Sequence, residues 1–333
     1  MSTALKPQPD ISLVIATCSR APQVRLALES LFTQRGLDGH SLEIVIVDDQ
    51  SADNTLEVLH ELAQQSPFPL RILRGTRQGV AAARNLAARN AQGEWLASFD
   101  DDELAERDWL ATLLHAAQHH NADCVGGTTV LELPAPLQPS EYGPCARRLL
   151  GETALGGTSR PYPKRILPAT NNILMRRSMF LSLDGYDERF KEGGEDTDFF
   201  HRARQQGFRL WLEPAAIAHH IIPQRRTTHT AIAQTSMRIG VAEARIFQLR
   251  EQRFTAWRIA ASRILLAALR DWPTLAFASI TRNRVQRLET RTRLSYTRGL
   301  LQALFTRGQS RQQLLHSMDF RIRHGERNDP TAR

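Results

Sequence analysis

Three consecutive aspartates, Asp100, Asp101 and Asp102, stand directly behind an apolar run in the stretch ASFDDDEL. Carboxylates suit the first turn of a helix, where the helix dipole favours negative charge. They are also the ligands that hard divalent cations prefer, and a bound cation would turn the repulsion among three neighbouring carboxylates into shared attraction. The aspartates alone therefore leave two interpretations open, a helix start and a cation site.

The elements that must position these acids follow from the hydrophobic pattern. Short apolar runs, ISLVIAT, LEIVIVDD, LRILRG and EWLASFD, alternate with helix-like segments between residues 11 and 100. This alternation with short links predicts parallel βαβ units and an α/β fold with a doubly wound, mostly parallel, Rossmann-like sheet. Ligands of such sheets bind beyond the C-terminal ends of the strands. Asp48, Asp49 and the three aspartates all follow strand ends, so we expect one acidic crevice, which favours the cation site.

The charge of the chain is unevenly distributed. The formal charge is +8, whereas residues 241–333 hold 18 Arg against 7 acidic residues, a net +11 that leaves −3 for the rest. A basic C-terminal region suggests anionic lipid, nucleic acid or an acidic partner. The acidic crevice and the lack of a nucleic-acid reader motif disfavour nucleic acid. Arginines at helical spacing, with nearby tryptophans, suggest peripheral contact with an anionic membrane: Arg284, Arg287, Arg291 and Arg298.

Cysteine usage and the apolar segments indicate the compartment. The three cysteines, Cys18, Cys124 and Cys145, are far apart and show no C-x-x-C spacing. This pattern is typical of reduced thiols in a cytosolic protein and disfavours a zinc site. The first ten residues lack an apolar signal core, and no uncharged apolar stretch approaches the roughly 20 residues of a membrane span. We therefore expect a cytoplasmic protein. Any contact with the membrane is expected to be peripheral and at its inner face.

Seven stretches occur in a familiar order. They are ISLVIATCSR, VIVDDQSADNT, RQGVAAARN, GEWLASFDDDELAERDWL, TNNILMRRS, GYDERF and GGEDTDFFHRARQQG. Over roughly residues 10–230 the series resembles the family-2 glycosyltransferases of bacterial type, which have the GT-A fold. The resemblance implies inverting transfer from a nucleoside-diphosphate sugar, a UDP- or dTDP-sugar, with Mg²⁺ or Mn²⁺ as cofactor. It also implies a glycan or lipid-linked acceptor and a role in cell-envelope or surface-glycan synthesis.

The resemblance assigns the donor site to the strand ends. Asp100 and Asp102 match the Asp-x-Asp pattern of the family, with Asp102 as the direct metal ligand and Asp100 facing ribose or a metal-bound water. His220, one of an adjoining pair with His219, matches a histidine that completes the metal shell. A divalent ion suits this place because negative charge grows on the diphosphate as the sugar leaves. The residues expected to contact the nucleotide sugar are Thr17, Arg20, Asp49, Arg84, Asp100 and Asp101.

The acceptor hydroxyl needs a base as it attacks the anomeric carbon in a direct displacement, and a carboxylate within hydrogen-bond reach suffices. By the resemblance, Asp196 in GGEDTD is this base. Glu195 and Asn172 are expected to contact the acceptor, and Gly194 would let the backbone approach the sugar closely.

We expect a GT-A domain over residues 1–235 and a basic, mainly helical region over 236–333. Within the domain, the nucleotide-sugar half covers about 10–105 and the acceptor half about 106–235. A flexible loop is expected near 131–168, where prolines and glycines interrupt the pattern.

Two alternative functions remain open at the level of sequence. A nucleotidyltransferase would also use metal-binding aspartates on an α/β sheet, but it would normally carry a glycine-rich basic loop where this chain has ATCSRAPQV. A non-catalytic binding protein on a degenerate transferase fold would not need Asp49, Asp102 and Asp196. The sequence does not indicate an oligomeric state.

Overall fold

The computed structural model describes residues 8–164, 166–190, 193–250 and 252–305. The strands are β1 (Ile11–Thr17), β2 (Leu42–Asp48), β3 (Leu70–Arg74), β4 (Trp95–Phe99), β5 (Glu103–Ala105), β6 (Cys124–Glu132), β7 (Arg160–Pro161), β8 (Asn172–Arg176) and β9 (Leu210–Ile221). The helices are α1 (Ala21–Phe32), α2 (Thr55–Gln65), α3 (Val80–Asn90), α4 (Trp109–His119), α5 (Pro144–Leu149), α6 (Arg177–Ser182), α7 (Glu195–Gln205), α8 (His229–Leu249), α9 (Arg253–Leu266), α10 (Trp272–Ile280) and α11 (Arg284–Phe305). A π-helical turn, Ala267–Asp271, joins α9 to α10.

The strands form one sheet in the order β3-β2-β1-β4-β8-β6-β9-β5, with β7 paired to β9. The first four strands in this order are parallel, as the alternating pattern predicts. Beyond them the sheet is mixed, because β8 runs antiparallel to both β4 and β6, whereas β6 and β9 are parallel. The predicted α/β fold is therefore confirmed. In the mixed half of the sheet, β9 and β5 lie on the same side of β4 as β8.

Helices cover both faces of the sheet. Because side chains alternate along a strand, Leu13 and Ile15 of β1 face a core with α1, where Leu28 is fully buried. Val14 faces the opposite core, which contains Ala83 and Ala87 of α3. The small side chains of α3 let this helix lie close to the strands, which explains its alanine-rich sequence.

The segment 131–168 contains more regular structure than its composition suggests. It includes α5 and β7, and the side chains of Tyr142 and Leu150 are buried in a cluster with Ile222 and Ile232. The segment thereby connects the end of β6 to α8, and it forms one side of the cavity described below.

The helical C-terminal region begins earlier than predicted. The expected boundary between residues 235 and 236 falls inside α8, which is continuous from His229 to Leu249. Helix α8 packs closely on α11, since a Cβ added at Gly240 would lie 2.2 Å from the carbonyl oxygen of Tyr296. Residues 306–333, the last part of the predicted basic region, lie outside the described ranges. None of the helices within those ranges is long and apolar enough to cross a membrane.

An ion-pair cluster fastens the end of α8 to α7. The Asp198 carboxylate is almost fully buried and accepts hydrogen bonds from Arg250 Nε (2.6 Å) and Arg250 Nη2 (2.6 Å). Arg202 Nε of α7 donates to the same carboxylate at 2.8 Å. Because charged hydrogen bonds in buried positions are the strong ones, this cluster holds the two helices in a fixed relation.

Replacing Arg250 by Ala should lower the free energy of unfolding by about 2 kcal/mol, because a buried carboxylate loses two charged hydrogen bonds while Arg202 remains. Urea unfolding of the full chain measures this. The matched control is Arg284→Ala, which removes an exposed arginine of α11 and should leave stability within about 0.5 kcal/mol of the wild type. Equal stability of the Arg250→Ala variant and the wild type would contradict the role of the cluster.

Candidate active site

The predicted acids meet at one edge of the sheet. Asp100, Asp101 and Asp102 form the link between β4 and β5, and β5 pairs with the end of β9 so that Glu103 lies opposite His220. A cavity of about 780 Å³ lies at this edge. Its lining includes the predicted residues Arg20, Arg84, Asp100, Asp102, Asn172, Gly194, Glu195, Asp196 and His220.

Arg20 neutralises two of the three aspartates. Its Nη1 atom donates to Asp101 Oδ1 and to Asp102 Oδ2, both at 2.7 Å. The hydroxyl of Thr17, at the end of β1, donates to Asp101 Oδ2 at 2.6 Å. The repulsion expected from the sequence is thus relieved by the guanidinium of Arg20, from the loop after β1. The sequence predicts only a contact between Arg20 and the nucleotide sugar.

The two neighbouring carboxyl groups differ in their pKa values. Burial raises the pKa of Asp101 to about 6, although the charge of Arg20 and the hydrogen bond from Thr17 act in the opposite direction. For Asp102, burial is again the largest effect, but the contact with His220 and the charges of Arg20 and Arg226 outweigh it and lower the pKa to about 2. Asp102 is therefore the more firmly ionised of the pair at neutral pH, as suits a metal ligand.

His220 rather than His219 faces the cavity. Its Nε2 atom lies 3.5 Å from Asp102 Oδ1 and 3.2 Å from Arg226 Nη1. Its Nδ1 atom is buried and has no hydrogen-bond partner among the described residues. His219 points away to Glu132, whose Oε1 atom lies 2.8 Å from Nδ1 of the ring.

Arg84 connects the aspartates to α7. Its Nη2 atom donates to Asp100 Oδ1 and its Nη1 atom donates to Glu195 Oε1, both at 2.7 Å. Burial by itself would lower the pKa of Arg84, but the two negative charges raise it above its ordinary value. The guanidinium therefore stays charged and holds the link between β4 and β5 to the start of α7.

Glu195 has one carboxylate oxygen to spare. Its Oε2 atom is buried and has no hydrogen-bond partner in the described part of the chain. Burial raises the pKa of Glu195 and the neighbouring charge of Asp196 raises it further, whereas Arg84 lowers it. The carboxyl group is therefore held close to protonation, in contrast to an ordinary surface glutamate.

Asp196 lies in the first turn of α7. The residue before the helix is Gly194, whose φ of 98° is a left-handed conformation that glycine adopts without strain. Asp196 Oδ1 accepts hydrogen bonds from the backbone nitrogen (2.6 Å) and the hydroxyl (3.3 Å) of Thr197. The sharp turn at the glycine thus aims a half-buried carboxylate into the cavity.

Two predicted residues are engaged elsewhere. Asp49, at the end of β2, accepts a hydrogen bond from the backbone nitrogen of Arg77 at 2.6 Å, and its contact with the nucleotide stays a prediction. The amide of Asn172 is buried and bonds to the Thr128 carbonyl (2.9 Å) and to Trp109 Nε1 (2.7 Å). These bonds position β8 against β6 and α4, so they do not support the acceptor contact predicted for Asn172.

Comparison with known proteins agrees with this geometry. The model of the glycosyl transferase family 2 matches residues 12–179, which include the three aspartates and half of the chain. The chain belongs to glycosyl transferase family 2. It is similar to the succinoglycan biosynthesis protein ExoM of Rhizobium meliloti, with 28% identity over 263 residues that cover 76% of this chain and 81% of ExoM. An uncharacterised glycosyltransferase of Haemophilus influenzae is 27% identical over 209 residues, covering 59% of this chain and 62% of that protein.

Solved structures show the same fold. The mannosyltransferase PcManGT of Pyrobaculum calidifontis, solved with GDP-Man and Mn²⁺, superposes with a TM-score of 0.60 at 20% identity and covers 90% of this chain and 88% of its own. Residues 1–349 of TarS from S. aureus give a TM-score of 0.52 at 17% identity, covering 87% and 92% of the two chains. The fold is therefore GT-A, as predicted. The protein is a glycosyltransferase, and the two alternative functions left open by the sequence are set aside.

The cavity of this glycosyltransferase has a second wall that sequence reasoning missed. Arg148 comes from α5, and Arg238 and Glu243 come from α8. Arg226, in the turn after β9, is 4.0 Å from Asp102 Oδ2. The series PQRR, which begins three residues after His220, was a usable signal for Arg226. The other three lie in segments whose sequence gives no indication that they return to the strand ends.

Glu195→Gln should make the stability of the glycosyltransferase less sensitive to pH. Because the pKa of Glu195 is raised in the folded chain, the stabilisation is complete below the unfolded pKa of about 4.3 and is lost as the pH rises through the raised value. Urea unfolding between pH about 5 and about 8 should therefore show a shallower fall in the free energy of unfolding for the variant. Glu57→Gln, at an exposed position of α2, is the control. If the free energy of unfolding changes with pH in the same way for Glu195→Gln and the wild type, the pKa of Glu195 is not raised in the folded chain.

Proposed function

We propose that this glycosyltransferase moves a sugar from a nucleoside-diphosphate sugar to a hydroxyl acceptor with inversion at the anomeric carbon. The observation that carries the proposal is the meeting of two acidic groups in one cavity. Asp100 and Asp102 come from the end of β4, and Asp196 comes from the first turn of α7. The first group suits a cation on a diphosphate and the second suits a base, which are the two needs of a direct displacement.

The donor set at Asp102 fits Mg²⁺ or Mn²⁺. Asp102 supplies an ionised carboxylate, and the adjacent His220 supplies an imidazole whose Nδ1 atom has no partner in the described structure. No group of three or more His, Cys, Asp or Glu side chains among the described residues could hold a metal by itself. Mg²⁺ is commonly held by one or two carboxylates together with substrate phosphates, so we infer that the diphosphate completes the site. When bound, such an ion stabilises the negative charge of the departing diphosphate.

Two arginines of the chain support the same charge. Arg20 and Arg226 both border Asp102, at 2.7 Å and 4.0 Å from its Oδ2 atom. A diphosphate bound here would meet both guanidinium groups, which recognise phosphate oxygens through paired donors. Arg20 would then exchange part of its contact with Asp102 for the phosphate. Thr17 and Asp101 keep Arg20 in place during this exchange, because Asp101 retains its own hydrogen bonds to both.

Asp196 acts as the base in this proposal. Both hydrogen bonds from Thr197 go to Oδ1, which leaves Oδ2 for the acceptor hydroxyl. As the acceptor oxygen bonds to the anomeric carbon, Asp196 takes its proton, and the bond between that carbon and the diphosphate oxygen breaks. Glu195, with its free Oε2 atom, is placed beside the base to hydrogen-bond a sugar hydroxyl. Arg84 fixes Glu195 and thereby the start of α7.

The substrate class follows from the relatives in outline. ExoM is named for succinoglycan biosynthesis, and this supports a role in surface-glycan synthesis with a glycan or lipid-linked acceptor. The sequence favours a UDP- or dTDP-sugar, whereas the structural relative PcManGT was solved with GDP-Man. The donor base therefore has to be found by screening UDP-, dTDP- and GDP-sugars for metal-dependent turnover.

Asp196→Asn should retain donor binding and lose transfer by about a hundredfold to ten-thousandfold, because the amide is nearly isosteric but cannot accept the proton. Donor affinity is measured by calorimetry with the nucleotide sugar that the screen identifies, and transfer by release of the nucleoside diphosphate. Asp184→Asn, at a fully exposed position, is the control and should behave as the wild type. Transfer at the wild-type rate by Asp196→Asn would exclude Asp196 as the base.

A further inference from the structure

The helices after the catalytic region expose an unusual surface. Residues 253–280 form one continuous helical run made of α9, the π-helical turn and α10. Large apolar side chains on this run are exposed, with Phe254 at 80%, Leu269 at 72% and Ile280 at 81% of full accessibility. We call the exposed set the apolar face; it consists of Phe254, Trp257, Ile264, Leu265, Leu266, Leu269, Trp272, Phe277 and Ile280.

The run is inverted relative to an ordinary surface helix, which buries its large apolar residues and exposes polar ones. Here the residues turned inward are small: Ala256, Ala260, Ala267 and Ala278 are buried. Asp271 is also buried and binds Arg293 Nε of α11 at 3.0 Å, which anchors the run to the rest of the protein. The π-helical turn takes an extra residue per turn, so it rotates α10 relative to α9. The fold therefore fixes the inner side of the run firmly and leaves most of the apolar side exposed. Among the described residues, Trp257 of this side has one ring contact, with Phe305 of α11, which is itself 69% exposed.

The charges around the apolar face have one sign. Arg258, Arg270, Arg282 and Arg284 are exposed, and the single acidic residue between positions 254 and 284 is the buried Asp271. An exposed apolar surface rimmed by arginines and free of exposed carboxylates complements an anionic surface with an apolar interior. A bilayer containing anionic lipids has both properties.

We propose that the apolar face is a docking surface for the anionic surface of a lipid bilayer, on which residues 253–280 lie in the plane of the interface. The inference goes beyond the proposed transfer reaction and does not depend on it. A second copy of the chain fits the face less well, since a symmetric contact would bring the same arginines of two copies together. Helix α11, which carries the arginines that the sequence pointed to, packs against both α9 and α10.

The docked run is connected to the cavity through α11 and α8. Helix α8 lines the cavity through Ile239 and Ala242 and packs along α11, which in turn packs against α9 and α10.

The test is co-sedimentation of the full chain with vesicles made of equal parts of phosphatidylcholine and phosphatidylglycerol, and with vesicles of phosphatidylcholine alone. The wild type should bind the mixed vesicles and bind the neutral ones much more weakly. The triple variant Leu269→Ser/Trp272→Ser/Phe277→Ser should lose at least about tenfold in its partition coefficient, because three large side chains no longer enter the apolar layer. The double variant Leu26→Ser/Leu181→Ser removes side chains of intermediate exposure (45% and 44%) from other surfaces and should bind as the wild type.

Four results would overturn the proposal. The wild type does not bind the mixed vesicles, or the triple variant binds them as well as the wild type does. The double variant loses as much binding as the triple variant. The wild type is a dimer and the triple variant a monomer, and neither binds vesicles. Transfer to a water-soluble acceptor, measured in parallel, should be unchanged in the triple variant. That assay separates a failure of docking from a failure of the proposed reaction.

Discussion

The arrangement of the active site depends on two arginines that hold a crowded set of carboxylates at the end of the sheet. Arg20 binds Asp101 and Asp102, and Arg84 binds Asp100 and Glu195. Without these ion pairs, three adjacent acids and the acidic start of α7 would repel one another in a partly buried place. With them the acids are partly compensated, and Arg20 already binds Asp102 Oδ2, so a divalent cation gains less by binding alone. In the proposed function a diphosphate would change this balance, because it would bring its own negative charge to the arginines and to the cation.

The C-terminal helices belong to the same construction. Helix α8 forms one wall of the cavity. Arg250, which directly follows the last residue of α8, binds the buried Asp198, two residues after the proposed base. The position of Asp196 therefore depends on a helix that follows the part of the chain matched by the family model. Helices α9 and α10 carry the exposed apolar face, and both pack on α11, which also packs on α8, so the cavity and the proposed membrane contact are joined through α11.

Much of the fold followed from local patterns. The β-branched runs at Ile11–Thr17 and Leu42–Asp48 predicted buried parallel strands, and the strand ends located the acids. What remained hidden were pairings between distant residues: Arg84 and Glu195 are 111 positions apart, and nothing in either neighbourhood indicates the partner. The same holds for Arg238, which reaches the cavity only because α8 packs back across the sheet end. Asn172 shows the converse case, because its contact with the acceptor stays a prediction while its buried amide bonds Thr128 and Trp109, which the sequence did not indicate.

The central claim is that the cation and the diphosphate bind as a pair, since Arg20 otherwise satisfies Asp102. The most direct measurement is the affinity of the full chain for Mn²⁺ with and without UDP, dTDP or GDP. Binding is detected through the relaxation rate of water protons. The account predicts weak binding of Mn²⁺ alone, at least about tenfold tighter binding with the matching nucleotide, and loss of that gain in Asp102→Ala. Equal Mn²⁺ affinity with and without every nucleotide, or an undiminished gain in Asp102→Ala, would contradict it.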